Sequence, residues 1–578
     1  MINRLKQNKG LTGVDLTIAV IIIIMFISLI TTIFYNLYIS SNGTKRNTQA
    51  TAYITQLFEE ISLMDYDNVT EDNLLTKISN LDLNSSGVKQ NIISGKKVSD
   101  ANTLITPYKM EIQVQNYNEI PGNESKQDVI KIIQATVKYN IGSKEETITI
   151  KRLKTKEVAA IDSLGISPKI SDGMVPVKYI ITNETTQEGY WQVTTTSDSE
   201  WFDYSKSKWA NVMLKDGLDY DQKTGKVNTV GSMFVYIPRY AYKISYNDAS
   251  NISEGGRIDI VFLKGTTDKY EEDQTEKTAK RVTETNIQSS DYIVHPCFTK
   301  TEDNSGNKTY DNGEWDVEVE GIWVAKFEAS SQEGNINTVD GDNLTTKILQ
   351  IKPGVQSWRH MTIGNAYTVA KDAEYGLTDA TQINKLNSHM IKNSEWGAVA
   401  YLTYSKYGRN TIEISINNSN NYITGSSAGK PGDSTTNGST VYEYNTIEGV
   451  KASTTGNIYG IYDMNGGSTE FVASYYNVGE SSKLDNGNSF ASSNGSSTQY
   501  ATAYTGTDLA TSYKKGDATY ETKGWFSDLS EFVQNMSPFF GRGGSYENAE
   551  KAGMYYFSCF DGDAYEWNSF RTCLIIEL

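Results

Sequence analysis

The chain has 578 residues, with 53 Lys and Arg against 70 Asp and Glu, so its formal charge is −17. That acidic balance, without a basic run, argues against a nucleic-acid binder, whose phosphate contacts need clustered Lys and Arg. Three cysteines and three histidines exclude a disulfide scaffold and a multi-cysteine metal module, while 38 Tyr and 46 Gly are the palette of a binding surface rather than a catalytic machine. The first element in chain order is an uncharged apolar run at residues 16–39. As a helix rising about 1.5 Å per residue it is long enough to span a bilayer of roughly 30 Å. Arg4, Lys6 and Lys9 precede it with no acid among them, which predicts a cytoplasmic amino terminus and everything after Ser40 outside.

Directly before the run stand Lys9, Gly10, Leu11, Thr12, Gly13, Val14 and Asp15. This segment resembles the class III leader of type IV prepilins and pseudopilins. The resemblance implies that a prepilin peptidase removes residues 1–10 between Gly10 and Leu11, leaving the hydrophobic helix attached. It also implies that the acid at the fifth mature position, here Asp15 rather than the usual Glu, pairs with the terminal amine of a neighbouring pilin subunit. Leu11 stands where Phe is usual, and an uncleaved signal anchor is the other reading. The helix is expected over residues 11–65, with Ala50, Tyr53, Ile54, Leu57, Phe58 and Ile61 at helical spacing. Residues 66–157 then read as a small pilin-like β module, with alternating strands at 109–115, 129–139 and 147–153 and a hairpin turn at 140–143.

The pattern lapses at 158–175, which reads as a linker. From Pro176 onward come scattered strands rich in aromatic and β-branched residues, such as 231–240 and 321–328. Helices are expected at 362–372 and 386–404. Long Ser/Gly/Asn/Thr segments at 417–440 and 479–506 separate the rest, and loops of that length are usually functional or disordered.

Three stretches near the carboxyl end then stand out: GNIYGIYDMNGGSTEF (456–471), RGGSY (542–546) and SFR (569–571). In this order, after the Glu395-Trp396 helix, they resemble the C-type-lectin-type domain of the formylglycine-generating-enzyme superfamily, spanning 176–578. Tyr462, Met464 and Phe471 are expected in its core, and Arg542 and Arg571 as buried arginines that tie loops together. Formylglycine-making members carry a cysteine pair just after the Gly-Gly-Ser segment. Here that place reads Tyr546, Glu547, Asn548, Ala549, Glu550, Lys551, so the activity is not carried over and no enzyme is expected. The alternative is a membrane-anchored relative of those oxidases using Cys559 or Cys573. His295 with Cys297 could be half of a metal site but reads rather as core and turn residues, and the sequence shows no recognisable metal-site companion for His360 or His389. No cofactor is expected; the run 303–312 offers oxygen ligands for Ca²⁺ but lacks EF-hand spacing.

The segment 540–574 also resembles the variable region of target proteins diversified by diversity-generating retroelements. That resemblance implies a scaffold of Gly-Gly and Ser-Phe-Arg words with ligand-facing residues between them. Tyr546, Asn548, Tyr556, Ser558, Phe560, Asp561, Asp563, Tyr565 and Trp567 combine rigid aromatic rings with small polar groups, as recognition surfaces do. Strand alternation predicts Tyr555 and Phe557 inside with Tyr556 and Ser558 outside. The expected class is therefore α+β: a transmembrane helix, a pilin-like antiparallel module and a lectin-type domain. The expected role is a minor-pilin-like adhesin at the cell membrane and surface, a pilus tip included. Its expected partners are pilin subunits, the prepilin peptidase, the membrane and a protein or glycan ligand. A structural surface protein without a ligand is the remaining reading.

Overall fold

The structure, a computed structural model, describes residues 43–74 except 63, 65 and 67; 108–116, 130–141, 144–155, 160–301 and 315–333; and 348–576 except 372, 434–439, 478–479, 494 and 507–513. The leader, Gly10, Leu11 and Asp15, the apolar run 16–39 and the calcium-type run 303–312 lie outside the described residues. The backbone divides into two compact units, Met1–Val158 and Ala159–Leu578.

In the first unit the helix Gly43–Ser62 buries Ala50, Ile54, Leu57, Phe58 and Ile61, the face set by their 3–4 spacing. These residues share a core with Met110, Ile112, Ile133, Ala135, Val137, Tyr139, Ile148 and Ile150. Each of those sits on an alternate position of the antiparallel strands Tyr108–Asn116, Ile130–Ile141 and Lys144–Thr155. Lys131 anchors the chain beyond the helix, its Nζ donating to the carbonyls of Tyr66 at 2.8 Å and Val69 at 3.0 Å.

The second unit is built on two sheets. One has seven antiparallel strands in the order Ser388–Met390, Thr572–Leu574, Gly321–Ala325, Met233–Pro238, Asn211–Leu214, Met174–Asn183 and Glu188–Val193. The other runs Thr502–Tyr504, Thr469–Tyr476, Phe539–Gly543 and Gly553–Phe560, with Asn568–Phe570 lying parallel to Thr469–Tyr476. The chain thus passes from one sheet to the other across the single residue Arg571. The helix Asn393–Thr403 is buried on every side. Gly397 makes that burial possible, because a Cβ there would stand 1.9 Å from the carbonyl oxygen of Gly516.

The α+β expectation is corrected by this architecture. Strands dominate the described residues, the helices are few and short, and none of them is long and apolar enough to cross a membrane. The expected helix at 386–404 is in fact the strand Ser388–Met390 followed by the helix Asn393–Thr403, because backbone pairing with Thr572–Leu574 captures its first turn. At 362–372 only Ile363–Ala370 is helical, capped by Thr362, whose Oγ1 accepts from the N–H of Asn365. From residue 160 on, the expected linker packs onto the second unit: Ile166 is buried in its core and Trp323 Nε1 donates to the Lys169 carbonyl at 2.7 Å. The periodicity lapses there because Asp162 Oδ1 accepts from the N–H groups of Leu164 and Ile166, fixing a turn by side-chain hydrogen bonds.

Candidate ligand-binding surface

The three carboxyl-terminal sequence words are the fixed part of this region. Arg571 is fully buried and forks onto Glu470, Nε to Oε2 at 2.9 Å and Nη2 to Oε1 at 2.5 Å. Its remaining donors go to the carbonyls of Ala325 at 2.7 Å and Tyr462 at 2.9 Å. Arg571 therefore clamps both sheets and the 456–471 stretch together, and the paired Glu470 holds its guanidinium above the usual range. Arg542, equally buried, donates to Asn393 Oδ1 and to the carbonyls of Asp517 and Ala518. The carbonyls of Ile458 and Gly460 hold the buried ammonium of Lys326 at 2.7 Å, and Asn211 Oδ1 holds it at 2.9 Å. Burial pushes that ammonium's pKa well below normal. Gly543 and Gly544 have φ of +77° and +70°, the left-handed region that lets the chain leave the sheet tightly. Tyr462, Met464 and Phe471 are all in the core.

On this frame the expected ligand residues separate into two groups. Tyr546, Asp563, Tyr565 and Trp567 reach solvent, with Trp567 at 36% exposure. Tyr565 and Trp567 stack at 4.9 Å between ring centroids with a 14° interplanar angle. Asp561 Oδ2 accepts from the Tyr565 hydroxyl at 3.1 Å, and Asp561 Oδ1 accepts from the N–H of Asp563, so the loop carrying the stack is internally braced. Asn548 is committed to its turn, Oδ1 accepting from the Ser545 N–H at 2.7 Å. Phe560 is half-buried against Phe471.

Tyr556 and Ser558 are buried, against the expected alternation, and so are Tyr555 and Phe557. The strand Gly553–Phe560 is covered on its free edge: Phe557 N–H donates to the Leu529 carbonyl and Glu531 N–H donates to the Phe557 carbonyl, each at 2.9 Å. Ser558 Oγ donates to Glu531 Oε2 at 2.9 Å. Tyr556 lies over Gly544, where a Cβ would stand 3.1 Å from its Cδ2, and burial raises its hydroxyl to about 12.

Two residues join the surface that sequence reasoning did not select. Tyr546 meets Tyr422 edge-on at 5.2 Å, and the Arg359 guanidinium stacks over the Tyr422 ring at 3.7 Å. Arg359 Nη1 also donates to the backbone carbonyl of Glu566, between the two stacked rings. The loop preceding Tyr422 is packed through polar contacts: buried Asn417 donates from Nδ2 to Asp463 Oδ1 and to the Ile423 carbonyl. The only signal for Tyr422 in the sequence is its place in a long Asn/Ser/Gly segment. Together Tyr422, Tyr546, Tyr565 and Trp567 form an aromatic ridge underlain by the buried Arg359, with the exposed acids Glu547 and Glu566 alongside.

The geometry gives no support to thiol chemistry. None of the three cysteines is in a disulfide; Cys297 and Cys573 are buried and Cys559 half-buried. Burial and the nearby Glu531 push the Cys559 thiol up, and burial does the same to Cys573, so neither is a ready thiolate. His295 is buried as well, caps the short turn Pro296–Phe298 through Nδ1, and burial drives its pKa down to about 3. No protein-family model, curated protein or solved structure matches the chain.

Proposed function

We propose that this chain is a surface-displayed recognition protein, a minor-pilin-like adhesin or receptor-binding subunit, that binds a protein or glycan ligand through its carboxyl-terminal segment and catalyses no reaction. The observation that carries this reading is the braced Tyr565–Trp567 stack beside the Arg359–Tyr422–Tyr546 group. Stiff rings already held in place lose little conformational freedom on binding, which is why such groups dominate recognition energetics. The resemblance of the amino terminus to prepilin leaders supports display outside the membrane and assembly with pilin subunits. The size of the Ala159–Leu578 unit favours a fibre tip over the shaft. Labelled protein spaced along the shaft in electron micrographs would refute that placement.

The binding reading is tested with the full chain on arrays of glycans and cell-surface proteins, followed by Trp567→Ala, Tyr565→Ala and Tyr546→Ala. Truncating an interface anchor costs about 2 kcal/mol or more, so each variant should weaken the captured ligand roughly 30-fold. A triple variant that binds as well as the parent chain overturns the assignment of this surface.

A further inference from the structure

Away from the ligand surface, three metal-ligating side chains meet inside the core. One ligand atom each from His389, Glu395 and Cys573 lies within 4.8 Å of the others, and all three residues are buried. The fold brings them together by two devices. His389 and Cys573 are directly opposite in the antiparallel pairing of Ser388–Met390 with Thr572–Leu574, which puts both side chains on one face of the sheet. Glu395 sits in the first turn of the helix Asn393–Thr403, where Oε2 accepts from the Lys392 N–H at 2.8 Å and Oε1 is left turned toward His389.

The hydrogen-bond inventory of His389 is the telling feature. Nδ1 lies 3.0 Å from the Asn387 carbonyl oxygen and Nε2 lies 2.7 Å from Glu395 Oε1. Both neighbours are acceptors, whereas a neutral imidazole has one N–H to give. If Nδ1–H serves the carbonyl, the Nε2 lone pair faces a carboxylate oxygen, and either a second ring proton or a metal ion between them relieves that contact. A metal-bound histidine has this arrangement: one nitrogen donates to a backbone carbonyl while the other is aimed at the ion. The thiol of Cys573 completes a nitrogen, oxygen and sulfur donor set, and one imidazole with one thiolate and one carboxylate suits a borderline-soft ion rather than calcium or magnesium.

We propose that His389 Nε2, Glu395 Oε1 and Cys573 Sγ bind a divalent transition-metal ion of the zinc class as a structural site. Binding releases the thiol proton to solvent, and coordination replaces the direct His389–Glu395 contact. A cleft of about 600 Å³ lies next to this cluster in the chain, lined by Asn387, Ser388, Gln499 and Tyr500, and the Tyr500 ring stands 5.6 Å from that of His389. The site is independent of the recognition surface.

The test uses the full chain, stripped with chelator and titrated with Zn²⁺ and with Co²⁺. The expected result is one equivalent of tightly held zinc by elemental analysis, and a sulfur-to-cobalt charge-transfer band with tetrahedral ligand-field absorption. Cys573→Ser should abolish the charge-transfer band and weaken zinc by about 100-fold or more, since even outer-shell losses cost 10–100-fold. The cobalt spectrum of the unaltered chain stands even if that variant fails to fold. Absence of stoichiometric metal and of a thiolate band in the unaltered chain overturns the proposal. So does a nitrogen NMR spectrum, in the presence of excess zinc, that shows protons on both ring nitrogens of His389, which would make the cluster a buried imidazolium–carboxylate pair.

Discussion

Replacing Arg571 by methionine removes the cation that bridges the two sheets while keeping most of the side chain's length. Four hydrogen bonds are lost at once: two to Glu470 and one each to the carbonyls of Ala325 and Tyr462. Removing one member of a buried ion pair costs about 3–5 kcal/mol, because the other charge is left unpaired away from water. Each orphaned carbonyl adds on the order of 1 kcal/mol. Proton uptake by Glu470 returns part of this, so the expected net loss is about 4 kcal/mol against a total stability of about 5–15 kcal/mol. The measurement is equilibrium urea unfolding of the full chain followed by tryptophan fluorescence. All 9 tryptophans lie beyond residue 190, so the signal reports the second unit alone. The double variant Arg571→Met/Glu470→Leu should be more stable than the single one, since it also removes the carboxylate hydrogen-bonded to the lost cation and leaves only the more distant buried acids Asp463 and Glu328 facing the gap. A loss below about 1 kcal/mol, or a double variant no better than the single, would show that the pair does not hold the sheets together.

Three further outcomes are expected. Gly397→Ala places a methyl group 1.9 Å from the Gly516 carbonyl oxygen inside a fully packed helix, and should cost about 3 kcal/mol or more in the same urea assay; a neutral effect would contradict the close approach. Asp216 is held by the N–H and Oγ–H of Ser232, but burial raises its pKa from 3.8 to about 6. The folded state therefore binds more protons than the unfolded one between those values, so this group's contribution is present below pH 3.8 and is lost as pH rises through about 6. Asp216→Asn should flatten that fall by on the order of 2–3 kcal/mol, and parallel stability–pH curves for parent and variant would refute it. Finally, if the carboxyl-terminal segment is diversified, the DNA downstream of the gene should hold a near-copy of codons 540–574 differing only at adenines, beside a reverse transcriptase gene. Sequencing that region answers the question, and its absence removes diversification while leaving the binding surface to be tested separately.

Much of the first unit was legible because its signals are local. The 3–4 spacing from Ala50 to Ile61 and the strict alternation around Met110–Val114 are repeated often enough to outweigh noise. The second unit was less so, because its order is set by partners far away in sequence. His389 reads as helical until Cys573, 184 positions later, claims its backbone; that same pairing hides the meeting of His389 with Glu395. Alternation alone left Tyr556 and Ser558 outside, yet the 529–531 segment pairs along that strand's free edge and Glu531 takes the Ser558 hydroxyl, so both residues are buried. Arg542 and Arg571 were legible as buried arginines from their motifs, but their acceptors were not. Arg359 and Tyr422 meet Tyr546 and Glu566 through stacking, edge and hydrogen-bond contacts between loops, for which no sequence period exists.

The crossing at Arg571 also dictates when this protein can finish folding. The strand Thr572–Leu574 lies inside the seven-stranded sheet, between Ser388–Met390 and Gly321–Ala325. Until residue 574 has left the ribosome, those two earlier strands face an empty slot. Contacts of such long sequence separation close slowly and leave unpaired edges exposed meanwhile. A ribosome stalled before residues 572–574 have emerged should therefore yield a protease-sensitive second unit.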